Sequence, residues 1–265
     1  MNYKQISSKN NQLIIDVNKL KNRKARDNSS LFFFEGTKLF KEAISANIDF
    51  EYVFATKNNL DIVISTIGQK SDTTVIEVTD EIYKKITEEQ SPEGIFCVAK
   101  FLNNISKINN ICYNANKKYV FLIDLQDPGN VGTIIRTACS FDIDGVIISE
   151  NTANVYSSKV IRASMGAVFK EKIFLSENTF DTVIKLNENG INTYAATLDK
   201  DSVKLGSVSF HSGCCLLIGN EGNGIPKDIS DLCTKKIIIP ISNNTESLNA
   251  SAASSILIWE MSKSK

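Results

Sequence analysis

Three short stretches place polar side chains beside glycines or small residues, where they could do chemistry. The first is "DPGNVGTIIRTACSF" (127–141), a turn opening into a helix, with Asn130 and Arg136 as its chemical groups. Val131, Ile134, Ile135 and Ala138 share one helical face, and Arg136 lies well round from it. A surface ion pair would account for Arg136 taken alone. The second is "LLIGNEGNGIP", in which Gly219, Gly222 and Gly224 surround Glu221. Glycines let backbone amides approach a ligand, but a plain turn uses them too. The third, "IIIPISNNTESLNASAASS", runs from Pro240 through a polar loop to Ser247, Leu248 and Asn249. Ser247 is placed to cap a helix. The small residues behind it permit close approach of a ligand, a second subunit or a neighbouring element. Neither G-x-G-x-x-G nor a Gly-Lys-Ser/Thr phosphate loop is present, which argues against dehydrogenase and kinase chemistry.

The surrounding pattern says where these stretches sit. "YVFLIDL", "GVIIS", "KEKIFLS", "INTYAAT", "CCLLIGN" and "KKIIIPI" are continuous apolar runs separated by helical segments. That alternation predicts a parallel sheet covered on both faces. Such sheets bind ligands beyond the carboxyl ends of their strands, where all three stretches fall. Upstream, strands "LFFFEG", "EYVFAT", "TTVIEV" and "GIFCVAKF" alternate with helices, one of them starting at Asp80 as its N-cap. They form a first α/β unit ending near Phe101. The Asn-rich stretch that follows reads as a linker.

Composition narrows the chemistry further. His211 is the one histidine, which makes His-rich metal sites and Ser-His catalysis improbable, and no metal site is expected. None of the six cysteines forms a C-x-x-C pair, which fits reduced core thiols in a cytoplasmic protein. The opening "MNYKQISSKNNQ" lacks the apolar core of a signal peptide, and no run approaches a membrane span. Net charge is zero, yet residues 1–26 carry seven basic groups against Asp16 alone. With Leu13, Ile14, Val17 and Leu20 at helical spacing, that segment reads as a basic amphipathic helix suited to a polyanion.

Taken together and in this order, the three stretches resemble the three motifs of the SpoU (TrmH-like) RNA ribose methyltransferases of the SPOUT superfamily. "NVGTIIRTA", "GNEGNG" and "IP…SLNASAA" carry the likeness, which spans about 119–262, and "RASMGAVFK" (162–170) resembles the segment between the first two. Residues 31–101 resemble, more weakly, the L30e-like substrate-binding domain that often precedes it. "FFFEGTKLFKEA" carries most of that similarity.

The resemblance implies an α/β chain. Residues 1–104 would hold a basic helix and an RNA-binding L30e-like domain, 105–117 a linker, and 118–265 a mostly parallel methyltransferase domain with a C-terminal trefoil knot. It implies S-adenosylmethionine as cofactor, bound by Thr197, Gly219, Glu221, Ile239, Pro240 and Leu248, and a homodimer formed through the C-terminal domain. Asn130, Arg136, Glu221, Ser247 and Asn249 match the family's catalytic or substrate-positioning positions. Glu221 would fix Arg136 by a charge-assisted hydrogen bond, and Asn130 and Asn249 would orient Arg136 and the hydroxyl. The reaction implied is methylation of a ribose 2′-hydroxyl, with ribosomal RNA favoured over transfer RNA. A non-catalytic RNA-binding protein on the same fold is the alternative. Asp142 stands where the family commonly has glycine.

Overall fold

The computed structural model describes residues 1–68, 72–210, 213–242 and 244–263, so His211 lies outside the described residues. The first elements are β1 (Asn2–Ile6), α1 (Gln12–Lys19), α2 (Arg23–Ser29), β2 (Leu31–Glu35), α3 (Thr37–Ser45), β3 (Phe50–Thr56), α4 (Leu60–Ile67), β4 (Thr74–Val78), α5 (Asp80–Ile86) and β5 (Ile95–Lys100). There follow β6 (Ile105–Lys107), β7 (Lys118–Leu122), α6 (Pro128–Ser140), β8 (Gly145–Ser149), α7 (Ser158–Ser164), β9 (Ile173–Ser176) and α8 (Thr179–Glu188). The chain closes with β10 (Asn192–Ala196), β11 (Val203–Lys204), β12 (Cys214–Ile218), α9 (Lys227–Leu232), β13 (Lys235–Ile238) and α10 (Ala250–Ser262). Among the described residues no helix is long and apolar enough to cross a membrane.

The chain divides into two compact units, one of residues 1–102 with 156–169, the other of 103–155 with 170–265. The first is built on a mixed sheet in the order β1-β4-β3-β5-β2. Phe33 of β2 stacks on Phe96 of β5 with ring centroids 5.1 Å apart. Ile14, Val17 and Leu20 of the N-terminal segment are buried in the same cluster. On the opposite face of β2, Phe32 meets Tyr156 and Phe34 meets Phe169. The stretch 156–169, which includes α7 and most of "RASMGAVFK", thus completes the aromatic core of the first unit. Arg162 pairs with Glu89 at 2.6 Å, and the Ser158 hydroxyl donates to Glu88 at 2.5 Å.

The N-terminal segment departs from the single basic helix its spacing predicts. It forms an edge strand, β1, and two short helices capped by Asn11 and Asn22. Arg26 is buried, and its guanidinium donates to the carbonyls of Leu20 and Lys21. Lys9, Lys19 and Arg23 pair with Glu81, Asp16 and Asp27. Much of the basic charge therefore serves the fold. Helix α5 is capped by the Thr79 hydroxyl, with Asp80 as its first helical residue, where its charge meets the positive helix end.

The second unit is an eight-stranded sheet in the order β11-β13-β10-β12-β7-β8-β9-β6, parallel at every pairing. Its edge strand β6 comes from 105–117, where the polar sequence predicts only a linker; pairing with β9 recruits it. From β7 the chain steps outward through β8 and β9, then returns to lay β10 and β12 on the other side of β7. The order reverses between β7 and β12, and ligand crevices form at such a reversal. Asp142, after α6, adopts φ +51. Aspartate tolerates this left-handed state better than most residues, so the turn forms without a glycine.

Glu171, 5 % exposed beside Cys139, is a carboxyl held up to about 7, chiefly by burial. A carboxyl raised in the folded state adds stability that is complete below its unfolded value and lost as pH climbs through 7. Glu171→Gln removes that loss. Its stability advantage over wild type should grow between pH 4.5 and 7 and level off near roughly 3 kcal/mol. Denaturant melts at a series of pH values check this, and a pH-independent difference would contradict it.

Candidate active site

Strand β7 ends at the crevice, and the chain enters α6 through Asp127. Its carboxylate caps the helix by accepting from the Asn130 amide at 2.8 Å, and Pro128 follows at the first helical position. This cap fixes Asn130 on the first turn, 7 % exposed. Across the crevice, after β12, the Glu221 carboxylate accepts from the backbone amides of Gln126 and Asp127, both at 3.1 Å. It also accepts from Asn130 Nδ2 at 3.0 Å. Partial burial pushes the Glu221 carboxyl up, but these bonds outweigh it and hold the group below the ordinary carboxylate value.

The third stretch meets the same side chain. Asn249 Nδ2 donates to Asn130 Oδ1 at 3.1 Å, while Asn249 Oδ1 caps α10 by accepting from the amides of Ser251 and Ala252. The Asn130 amide thus uses both ends, accepting from Asn249 and donating to Glu221. One small side chain joins all three loops. Behind it α6 and α10 approach closely through small residues, with the Thr137 and Ser255 hydroxyls 3.3 Å apart.

The glycines of the second stretch have a packing reason. A Cβ on Gly219 would lie 2.3 Å from the backbone carbon of Gly224, so residues 219–225 fold too tightly for any side chain there. Asn220 and Gly224 exchange backbone bonds, and Gly224 takes φ +66. The Asn220 side chain, which the sequence reading passes over, accepts from the amides of Gly222 and Asn223. Its signal was its place between two glycines, where an asparagine side chain replaces missing backbone bonds.

Two expected contacts take another form. Glu221 bonds Asn130 and two backbone amides and does not bond Arg136. Asn130 and Asn249 orient each other and not Arg136. Arg136 is exposed on α6, and among the described residues its guanidinium makes no hydrogen bond or ion pair. Ser247 is exposed and does not cap α10; Asn249, two residues on, does so.

The residues expected to hold a cofactor lie at neighbouring strand ends. Thr197 follows β10, Gly219 follows β12, and Ile239 and Pro240 follow β13; these three strands are adjacent in the order β13-β10-β12. Thr197 is fixed by its amide on Ile237 O and by its hydroxyl against Ser202. Leu198 is 65 % exposed and Leu248 37 %, with Ile239 half-buried. Exposed apolar side chains beside tightly folded glycine backbone fit a flat heterocycle with polar edges, such as adenine.

Both parts of the chain match known families. Residues 117–259 match the SpoU rRNA Methylase family, and residues 11–97 match the MRM3-like substrate binding domain. The 23S rRNA (guanosine(2553)-2′-O)-methyltransferase RlmP of Bacillus subtilis is 28% identical over 97% of this chain and 99% of its own. The crystal structure of an AdoMet-bound rRNA methyltransferase from Sinorhizobium meliloti aligns with TM-score 0.87 and 26% identity over 98% of both chains. A putative RNA methyltransferase of the TrmH family from Porphyromonas gingivalis aligns with TM-score 0.79 and 29% identity over 94% of this chain and 96% of that one. Three loops that meet on one asparagine, in a sheet and a sequence matching over more than half the chain, place this protein in the SpoU rRNA methylase family.

Proposed function

We propose that this chain is an S-adenosylmethionine-dependent enzyme that methylates a ribose 2′-hydroxyl of 23S ribosomal RNA in the cytoplasm. The observation that carries the reading is the Asn130 junction, which unites Glu221, Asn249 and the start of α6 in one crevice. Full-length similarity to a 23S rRNA 2′-O-methyltransferase supports the substrate class. In this reading residues 1–104 gather RNA, 118–265 transfer the methyl group, and the family's trefoil knot forms the cofactor end. Thr197, Gly219, Glu221, Ile239, Pro240 and Leu248 hold the cofactor, which supplies a methyl group activated by a sulfonium.

A ribose hydroxyl keeps its proton at neutral pH, so the site must align it and stabilise charge growing on its oxygen. Arg136 is suited to the second task. Its guanidinium stays protonated and, with Glu221 bound elsewhere, keeps its full charge for an RNA phosphate beside the reacting sugar. The proton leaves to phosphate or water. Asn130 keeps α6, and with it Arg136, in register with the cofactor loops. Ser247 stands in the exposed loop before α10, free to meet substrate.

A homodimer through the second unit belongs to the same proposal. Trp259 of α10 is 50 % exposed, packs on Phe141 at 5.3 Å and lies near exposed Ile256. That apolar face fits a second copy.

Methyl transfer from tritiated cofactor to unmodified 23S rRNA tests the reading. Arg136→Ala should lower kcat roughly 100-fold with cofactor affinity intact; near-full turnover would remove Arg136 from the mechanism. Asn130→Ala should lower kcat to a similar degree, about 100-fold. Asn130→Asp should do no better, because a second carboxylate would then face Glu221. For RNA binding, truncating residues 1–26 would strip β1 and three core side chains, so substitution is the cleaner probe. Lys4 and Lys24 are exposed and make no ion pair among the described residues. Replacing both by Gln should reduce the slope of log K against log salt by up to about 2, and an unchanged slope would clear them of phosphate contact.

A further inference from the structure

The turn between β7 and the site is held by side chains that the methyl-transfer reading leaves unassigned. Asp124 adopts φ +54, a left-handed conformation uncommon outside glycine. Such residues persist where surrounding bonds over-determine them. Here the amide, carboxylate and carbonyl of Asp124 are all engaged. Ser149, at the end of β8 and 4 % exposed, makes a reciprocal pair with it. The Ser149 hydroxyl donates to Asp124 Oδ1 at 2.7 Å and accepts from the Asp124 amide at 2.9 Å. The Thr152 hydroxyl backs this pair, 3.0 Å from Ser149 Oγ and 3.3 Å from Leu122 O. On the far side Asn220 Nδ2 donates to Asp124 O at 2.8 Å, and Gln126 Nε2 donates to the same carbonyl at 3.2 Å.

The position of this turn gives it consequence. Two and three residues on, the amides of Gln126 and Asp127 aim at Glu221. An extended or right-handed backbone at residue 124 would turn both amides away. Glu221 would then keep a charge with one donor, Asn130, in place of three. We propose that Asp124 and Ser149 form a positioning pair for methyl transfer. They lock the turn so that Glu221 meets both backbone donors and holds Asn130 against Asn249. Neither touches substrate or cofactor; both act through Glu221. The inference rests on the methyltransferase reading above for its kinetic outcome, but not for its structural one.

The pair separates backbone conformation from side-chain bonding, and variants can do the same. Asparagine tolerates the left-handed state and keeps an acceptor oxygen, glycine keeps only the conformation, and alanine keeps neither. In the full chain, with tritiated S-adenosylmethionine and unmodified 23S rRNA transcript, D124N should stay within about threefold of wild-type kcat. D124G should be intermediate, and D124A at least about tenfold lower, with KM for RNA within about twofold. S149A should fall as D124A does, and S149T, which restores the hydroxyl, should recover most of the loss. Amide hydrogen exchange at Gln126 and Asp127 supplies a readout independent of turnover: D124A and S149A should speed it and D124N should not. Wild-type exchange rates in D124A and S149A would overturn the pair, as would a loss confined to KM for RNA or one that S149T fails to repair. A wild-type chain that transfers no methyl group would overturn the functional reading instead, and exchange at Gln126 and Asp127 would still decide on the pair.

Discussion

The site depends on one amide side chain that is bonded at both ends. Asn130 accepts from Asn249 and donates to Glu221, and its own backbone is fixed by the Asp127 cap. Each partner belongs to a different loop, and the residues are separated by about ninety to one hundred and twenty positions in sequence. No alternative side chain does this well. An aspartate could not donate, and a leucine would take from Glu221 one of its three donors and from Asn249 Nδ2 its acceptor, cutting the link between the loops. The bond geometry also settles the amide's orientation, because Glu221 can only accept. The junction is thus directional, and it links the loops after β12 and before α10 to the helix that carries Arg136.

The parallel sheet makes that junction possible. In an all-parallel sheet every strand delivers its following loop to the same edge, so the loops after β7 and β12 meet without any long excursion. The reversal of strand order at β7 opens the crevice between them. The second loop must then fold back on itself tightly, which is why Gly219 admits no Cβ. Helix α10 closes the arrangement from the chain's far end, and its small residues let its cap reach Asn130.

Much of this was legible in the sequence, and the failures have a common cause. Strands β2 to β5, β7 to β10, β12 and β13 follow from apolar runs, and the cap-and-proline start of α6 from "DPGN". Where two polar residues competed for one cap, local reading chose wrongly. Asp80 is placed inside α5 because Thr79 already accepts from the helix amides, and Ser247 stands free because Asn249 is held by both α10 and Asn130. The first choice is settled within one turn of chain; the second cannot be made without Asn130 across the crevice. The basic N-terminal segment gave an amphipathic pattern of the right period, but nothing in it announces that β4 lacks a neighbour for β1 to supply. The return of 156–169 to pack on Phe32 and Phe34 is likewise non-local, since its aromatic residues look like ordinary core positions of whichever unit contains them.

The pairing of Glu221 also reshapes the chemistry. In the proposed reaction, a bond between Glu221 and Arg136 would largely cancel the two charges where negative charge must grow on the ribose oxygen. Here the carboxylate is spent on two amides and Asn130, and the guanidinium keeps its charge. A cation that cannot lose its proton is a poor base but a good stabiliser of an oxyanion or a phosphate. The structure therefore favours an electrostatic part for Arg136, with the fixed dipoles of the three loops supplying alignment. The negative charge of Glu221 is held rigidly: it orders the turn and the first coil of α6, and so sets how far Arg136 stands from the strand ends where the proposed reaction presents the methyl group.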